Sequence, residues 1–214
     1  MEWRLLRDQM IEDQLLARGI RDPRVIAAMR EVPRHLFVPE ALQDQAYADR
    51  ALPLGDQQSI SQPYIVGVML QALQLSGTEK VLEIGTGSGY NAALLGRLAA
   101  QVHTIEIVPL LAETAKAKLE TLPSPNVSVH LADGANGLPM EAPFDAIVLT
   151  AATDKIPPPL ESQLSLTGRI LMPLKHPLGG ERLTLLWHDL TGRKVREFTE
   201  CAFVPLVGRY GLRG

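Results

Sequence analysis

The sequence predicts an α/β fold: a doubly wound, mostly parallel Rossmann-like sheet with antiparallel C-terminal strands and an N-terminal helical cover. From Lys80 onward, apolar strand-like runs alternate with helical segments, which is typical of a parallel sheet with helices on both faces. The last two runs flank the turn signal "TGR" at 191–193, which indicates an antiparallel hairpin. Because no linker rich in glycine, serine or proline interrupts the 214 residues, we expect one domain, with the cover over 1–76 and the core over 77–214.

The cover is predicted to consist of helices joined by irregular segments. A first helix has apolar residues four apart and ends at Gly19, which suits the left-handed position after a helix. Asp22 and Pro23 supply the N-cap and first residue of a second helix. After an irregular stretch over 33–39, we expect a third helix over about 62–75.

The core segments follow in a regular order. The strand-like runs are "KVLEIG" from 80, "QVHTIEI" from 101, "NVSVHLAD" from 126, "FDAIVLTAA" from 144, "GRILMPL" from 168, "RLTLLWHDL" from 182 and "KVREFTECAFVPLVG" from 194. The helical segments between them are "ALLGRLA" from 93, "LLAETAKAKLETL" from 110 and "PLESQL" from 159.

A glycine loop follows the first of these strands. Gly85, Gly87 and Gly89 stand between the strand and a helix, where small residues allow a sharp turn and close approach of a ligand to the helix start. Such a loop suits NAD, FAD or a nucleoside cofactor. The dinucleotide fingerprint requires a further glycine at position 90, where this chain has Tyr90, so the pattern favours a ligand without a pyrophosphate.

Two acids follow the next two strands. Glu106 ends the second strand, where a carboxylate accepts hydrogen bonds from both hydroxyls of a ribose. Asp133, followed by Gly134, ends the third strand and is expected to accept from an adenine amino group. Together with the glycine loop, these residues predict a pocket for an adenosine-type cofactor, of which S-adenosylmethionine (SAM) is the common example.

The chain resembles the protein-L-isoaspartate O-methyltransferase family over nearly its whole length. The resemblance rests on "ISQPYIV" (60–66), "VLEIGTGSGY" (81–90), "TIE" (104–106), "DG" (133–134), "APFDAI" (142–147), "TAA" (150–152) and "FVPL" (203–206). Two positions and one segment depart from the family's usual sequence: Ser59 replaces a threonine, Ala132 replaces a glycine, and the segment over 172–183 differs. The resemblance implies a SAM methyltransferase fold and methylation of isoaspartyl residues in damaged peptides and proteins.

The resemblance also implies a set of site residues. The expected cofactor-binding residues are Ser59, Ile60, Glu83, Gly85, Thr86, Gly87, Ser88, Gly89, Glu106, Ile107, Asp133 and Gly134. The expected substrate-binding residues are Ser61, Val204 and Leu206, with Ser61 as the catalytic residue. For "FVPL", an ordinary core strand is an equally good interpretation.

Ser61 has two interpretations. A carboxylate nucleophile is ionised at pH 7 and needs no general base, so we expect Ser61 to hold it without activating it. The alternative is that Ser61 is only the N-cap of a helix in which Gln62 and Pro63 are the first two residues. Local composition favours the cap, and the resemblance favours the substrate role.

Composition limits the remaining possibilities. A net charge of -3 gives no basic footprint for nucleic acid, and no apolar run reaches the length of a membrane span. The five histidines have no metal-ligand spacing, so we expect no metal, and the lone Cys201 indicates a core thiol and a reducing cytoplasm. We also expect a monomer. A small-molecule or RNA methyltransferase, a catalytically silent SAM-binding module and a dehydrogenase remain as alternatives.

Overall fold

The structure is a computed structural model that describes residues 3–55, 57–122 and 124–212. Its α-helices are α1 (Trp3–Met10), α2 (Pro23–Glu31), α3 (Pro63–Leu73), α4 (Tyr90–Leu98), α5 (Pro109–Glu120) and α6 (Pro158–Ser162). Its strands are β1 (Leu52–Gly55), β2 (Gln58–Ile60), β3 (Lys80–Ile84), β4 (Gln101–Glu106), β5 (Val127–Leu131), β6 (Phe144–Leu149), β7 (Leu164–Lys175), β8 (Glu181–Asp189) and β9 (Gly192–Cys201).

The main sheet confirms the predicted fold class. Its seven strands have the order β5-β4-β3-β6-β7-β8-β9. Strands β3 to β7 pair in parallel, whereas β8 pairs antiparallel with both β7 and β9. The strand order reverses at β3, which lies between β4 and β6, and ligands of open α/β sheets bind beyond the carboxyl ends of the strands at such a point.

The period of two along each central strand divides the apolar side chains between two cores. In β3, Val81 packs with the core shared by α2, α3 and α4, whereas its neighbour Leu82 packs in a second core with Leu160 of α6. Val148 and Leu149 of β6 divide in the same way. Because both faces are covered, the buried positions of these strands are mostly apolar, with Glu83 of β3 as an exception.

The cover forms as the sequence predicts at its helix ends. The Asp22 carboxylate accepts hydrogen bonds from the backbone N–H groups of Arg24 and Val25, and Pro23 begins α2. Gly19 closes the first helical segment with φ of 89°, in the left-handed region. Between Met10 and Gly19 the chain continues as one π turn and one 3₁₀ turn, so the predicted first helix is irregular after α1.

Two features depart from expectation. A two-stranded antiparallel sheet, β1-β2, precedes α3 where only helices and loops are predicted, and Gln57 beside its turn has a positive φ of 59°. "FVPL" does not continue β9, which ends at Cys201, but Pro205 forms an isolated parallel bridge with Ala152 and Leu206 is buried in the core. Among the described residues, no helix is long and apolar enough to cross a membrane.

Candidate active site

A cavity of about 310 Å³ lies beyond the carboxyl ends of β3 and β4, between the cover and the core. Its volume falls at the lower end of the range for small-molecule sites, about 300–1,000 Å³. Five segments supply most of its wall: residues 58–62, 84–88, 105–107, 150–151 and 200–207. Residues of the "SISQP" segment (59–63), the glycine loop, the end of β4 and the "FVPL" segment therefore line the same cavity, as the sequence predicts.

The glycine loop turns sharply where β3 ends. Gly85 has φ of 96°, and a Cβ atom there would lie 2.3 Å from the hydroxyl oxygen of Thr150. That hydroxyl donates to the Gly85 carbonyl at 2.6 Å, while the Thr150 backbone N–H donates to the Ile84 carbonyl at 2.9 Å. The end of β6 thus approaches the loop too closely for any side chain, which explains the glycine.

Glu106 lies at the end of β4 and contacts the glycine loop. Its Oε2 accepts from the backbone N–H of Gly87 at 2.8 Å, and its Oε1 accepts from the N–H groups of Ile107 and Val108 at 2.9 and 3.1 Å. An ionised carboxylate has about four acceptor positions, so one remains for a ligand in the cavity. Glu106 therefore fixes the two loops against each other as well as facing the cavity.

Glu83 lies behind the glycine loop, and its side chain is fully buried. It accepts from the Asn91 amide at 2.7 Å and from the Thr104 hydroxyl at 2.5 Å. Burial raises the pKa of Glu83 to about 7, with the nearby Glu106 adding to the rise, although these two hydrogen bonds oppose it. Glu83 does not line the cavity, but it accepts from Asn91, which does.

Asp133 is held by the protein on both carboxylate oxygens. Oδ1 accepts from the Ala135 N–H at 2.9 Å, and Oδ2 accepts from the Asn136 amide at 3.0 Å and the Arg209 N–H at 2.9 Å. Asp133 does not line the cavity, whereas the adjacent Gly134 does. Asp133 therefore anchors the C-terminal segment next to the cavity, a contact that the sequence did not predict.

Ser61 lines the cavity and does not cap the helix. The N-cap position of α3 is Gln62, without a side-chain cap hydrogen bond, and Pro63 is the first helical residue. Within the described residues, the Ser61 hydroxyl has no hydrogen-bond partner, while its backbone carbonyl accepts from Arg34 at 2.7 Å. The N-cap interpretation is therefore wrong, and the hydroxyl is available at the cavity wall.

The start of α3 adds donors beside Ser61. Pro63 has no N–H, and the first helical backbone bond runs from Val66 to the Gln62 carbonyl. The N–H groups of Tyr64 and Ile65 precede that bond and have no side-chain cap. The positive end of the helix dipole and these donors favour an anion in front of them.

The "FVPL" segment forms the far wall of the cavity. Val204 and Leu206 both line it, and Phe203 donates its backbone N–H to Glu181 Oε2 at 2.8 Å. Cys201 also lines the cavity while packing against the core. Burial and the nearby Glu181 carboxylate raise the pKa of its thiol to about 12, so the thiol is neutral and no nucleophile at pH 7.

Twelve of the predicted site residues meet at this one cavity. They are Ser59, Ile60, Ser61, Gly85, Thr86, Gly87, Ser88, Glu106, Ile107, Gly134, Val204 and Leu206. Glu83, Gly89 and Asp133 stand behind it. Sequence reasoning missed Tyr90 and Asn91, the first residues of α4, although their position directly after the glycine loop was a signal that they could face a ligand.

These residues fit an adenosine-type cofactor. Gly87 has φ of 53° and open space at its Cβ position, so the loop backbone is accessible from the cavity. Glu106 retains an acceptor position at the end of β4, as a ribose requires. Across the described residues, no three His, Cys, Asp or Glu side chains are arranged to hold a metal ion.

Comparisons with known sequences identify a family for the chain. A sequence model of the protein-L-isoaspartate(D-aspartate) O-methyltransferase family matches residues 6–211. A protein-L-isoaspartate O-methyltransferase of Syntrophobacter fumaroxidans is 53% identical, with 97% of each chain covered. One of Geobacter metallireducens is 46% identical and covers 99% of this chain and 98% of its own.

Solved structures give the same picture. A protein-L-isoaspartate O-methyltransferase superposes with a TM-score of 0.86 at 27% identity, over 96% of this chain and 67% of that one. A Plasmodium falciparum relative in complex with S-adenosyl-L-homocysteine (SAH) has a TM-score of 0.80 over 94% of this chain and 98% of its own, and at 20% identity it supports the fold alone. With the family model spanning almost the whole chain and relatives near half identity, this chain belongs to the protein-L-isoaspartate(D-aspartate) O-methyltransferase family.

Proposed function

We propose that this chain transfers a methyl group from SAM to the free carboxylate of L-isoaspartyl residues in damaged peptides and proteins. The observation that carries the proposal is that residues 58–62, called here the Ser61 loop, and the glycine loop line one cavity in a chain of this family. Bound SAM supplies an electrophilic methyl group on a sulfonium whose leaving group is a neutral thioether. We propose that the cover and the core act as one catalytic domain, since both contribute to that cavity.

The glycine loop and the end of β4 are proposed to hold the cofactor. Gly85 and Gly87 offer backbone at the cavity wall, and Glu106 offers its one remaining acceptor position to a ribose hydroxyl. Ile107 and Gly134 line the adjoining part of the wall, where the adenine is expected. Asp133 is proposed to reach the adenine amino group through its remaining acceptor position, while it anchors the C-terminal segment.

Ser61 is proposed to orient the substrate carboxylate. Its free hydroxyl and the uncapped N–H group of Ile65 are donors of residues that line the cavity. The carboxylate is already ionised at pH 7, so the protein needs no base, and its contribution is to orient the reacting atoms and exclude water. Val204 and Leu206 are proposed to contact the peptide on the opposite wall.

Two experiments test this function. Incubation with methyl-labelled SAM and an isoaspartyl peptide should give a base-labile methyl ester, and the matched aspartyl peptide should give none. Ser61→Ala should bind SAH normally and lose more than about tenfold in kcat, since a well-placed hydrogen bond to a charged group contributes about 1.5–3 kcal/mol. Bound SAH without ester formation by the wild-type chain would refute the substrate, and near-normal turnover of Ser61→Ala would refute the role of Ser61.

A further inference from the structure

Arg34 is a buried arginine that holds the backbone next to Ser61. It opens the 3₁₀ turn Arg34–Phe37 in the cover, and its side chain has no exposed surface. Its Nη2 donates to the Ser61 carbonyl at 2.7 Å, and its Nε donates to the Ala46 carbonyl at 2.7 Å. Among the residues that the structure describes, no carboxylate pairs with it.

The same guanidinium also contacts the wall on the cofactor side. Its central carbon lies 5.0 Å from the centroid of the Tyr90 ring, within the range of a cation–π contact. Tyr90 is the first residue of α4, directly after the glycine loop, and it lines the cavity, as Ser61 does. Arg34 therefore connects the wall that carries the Ser61 hydroxyl to the wall that carries the glycine loop.

A lone cation in this position is unfavourable for stability. Burial lowers the pKa of Arg34 to about 10, while the nearby hydroxyls of Tyr90 and Tyr47 oppose that change, so the side chain is still charged at pH 7. An apolar side chain of similar volume usually stabilises a protein as well as a buried charge does, or better. What an apolar side chain lacks is the pair of charge-assisted hydrogen bonds to two distant carbonyls.

We propose that Arg34 is a positioning residue for methyl transfer, which holds the Ser61 carbonyl and thereby directs the Ser61 hydroxyl toward the substrate carboxylate beside the glycine loop. The carbonyl carbon is bonded to the Ser61 Cα, so holding the carbonyl oxygen restrains the peptide plane beside the side chain. This inference rests on the proposed function of Ser61 and deepens it. Arg34 itself touches neither substrate nor cofactor, because it does not line the cavity.

Arg24 offers a matched control. It is a partly buried arginine of the cover and, like Arg34, it bridges two backbone carbonyls, those of Leu75 and, at 3.0 Å, Leu98. Neither carbonyl belongs to a residue of the cavity wall. Arg24→Met therefore removes the same kind of contact from the same region, without touching the Ser61 loop.

The experiment compares Arg34→Met, Arg34→Lys and Arg24→Met with the wild-type chain. It measures kcat and KM for an isoaspartyl peptide, the Kd of SAH by calorimetry, thermal unfolding, and amide hydrogen exchange over residues 57–66. Arg34→Met should lose at least tenfold in kcat, keep the Kd of SAH within about threefold, and exchange faster over 57–66. Arg34→Lys should recover part of kcat, because an ammonium reaches one of the two carbonyls, and Arg24→Met should keep kcat within about twofold.

Three results would overturn the proposal. The first is wild-type kcat in folded Arg34→Met, or in Arg34→Lys where the methionine variant does not fold. The second is an equal loss of kcat in Arg34→Met and Arg24→Met, which indicates general destabilisation. The third is unchanged exchange over 57–66 in the Arg34 variants. Absence of ester formation by the wild-type chain refutes the proposed function instead, and hydrogen exchange still decides whether Arg34 holds the Ser61 loop.

Discussion

Replacement of Glu83 by glutamine should stabilise the protein in a manner that depends on pH. Glu83 is fully buried beneath the glycine loop, and burial raises the pKa of its carboxyl from 4.5 to about 7. A glutamine keeps both hydrogen bonds there: its oxygen accepts from Asn91, and its amide donates to Thr104, whose hydroxyl can then donate to Thr86. Glu83→Gln thus imitates the protonated, uncharged acid at every pH.

The magnitude and its sign follow from proton linkage. Between pH 4.5 and about 7 the folded chain keeps the proton on Glu83 while the unfolded chain has lost it, so the unfolding free energy of the wild type falls as pH rises through this window. At about 1.36 kcal/mol for each pH unit, the full loss is about 3 kcal/mol. The variant has no such loss. The gap in stability between the variant and the wild type should therefore widen by roughly 2–3 kcal/mol from pH 5 to pH 8.

Urea unfolding of both proteins without cofactor at several pH values measures this gap. The difference between them removes the contributions of other titrating groups, such as His103 and His130, whose pKa values burial lowers. The Kd of SAH should stay within about threefold, because Glu83 does not line the cavity. A gap that is constant from pH 5 to pH 8, or one that narrows as pH rises, would refute the reasoning.

Two further substitutions test the C-terminal wall of the cavity. Gly208→Ala should lower the free energy of unfolding by about 1–3 kcal/mol and weaken SAH binding, because Gly208 has φ of 127° and its Cβ would lie 2.0 Å from the Asp133 carboxylate. Calorimetry measures the SAH affinity. Gly179→Ala is the control, since Gly179 has φ of 98° and open space around its Cβ position, and it should leave SAH binding unchanged. Glu181→Ala should raise KM for an isoaspartyl peptide severalfold at unchanged SAH affinity, since it removes the acceptor of the Phe203 N–H, and equal KM values in steady-state assays would contradict this.

The sequence predicted most of the fold because the decisive signals are local. Alternating apolar runs predicted all seven strands of the main sheet, and the carboxylate and ring of Asp22-Pro23 predicted where α2 begins. The β1-β2 pair escaped prediction because its strands are only four and three residues long, too short to show a clear alternation of apolar residues. The end of β9 escaped because the Phe203 N–H binds the Glu181 side chain instead of a neighbouring strand, although the residues around it have strand-like composition.

The residues of the site also divide into those that the sequence predicted and those that it did not. The glycine loop and Glu106 were predictable because their partners are the loops that directly follow two neighbouring parallel strands. Arg34, Glu181 and Arg209 were not, because their contacts with the site span 27, 22 and 76 residues of chain. Such contacts depend on how distant segments come together in the fold, and local sequence patterns do not reveal them.

Arg34 and Glu83, both buried near the cavity, contact neighbouring residues of α4. Arg34 contacts the ring of Tyr90, and Glu83 accepts from the amide of Asn91, the next residue. Two buried side chains therefore hold the first two residues of α4, both of which line the cavity, from outside it. A reaction between an ionised carboxylate and a sulfonium needs orientation more than proton transfer, and its two reactants already carry opposite charges. Side chains placed behind the wall can fix that geometry without competing for either reactant.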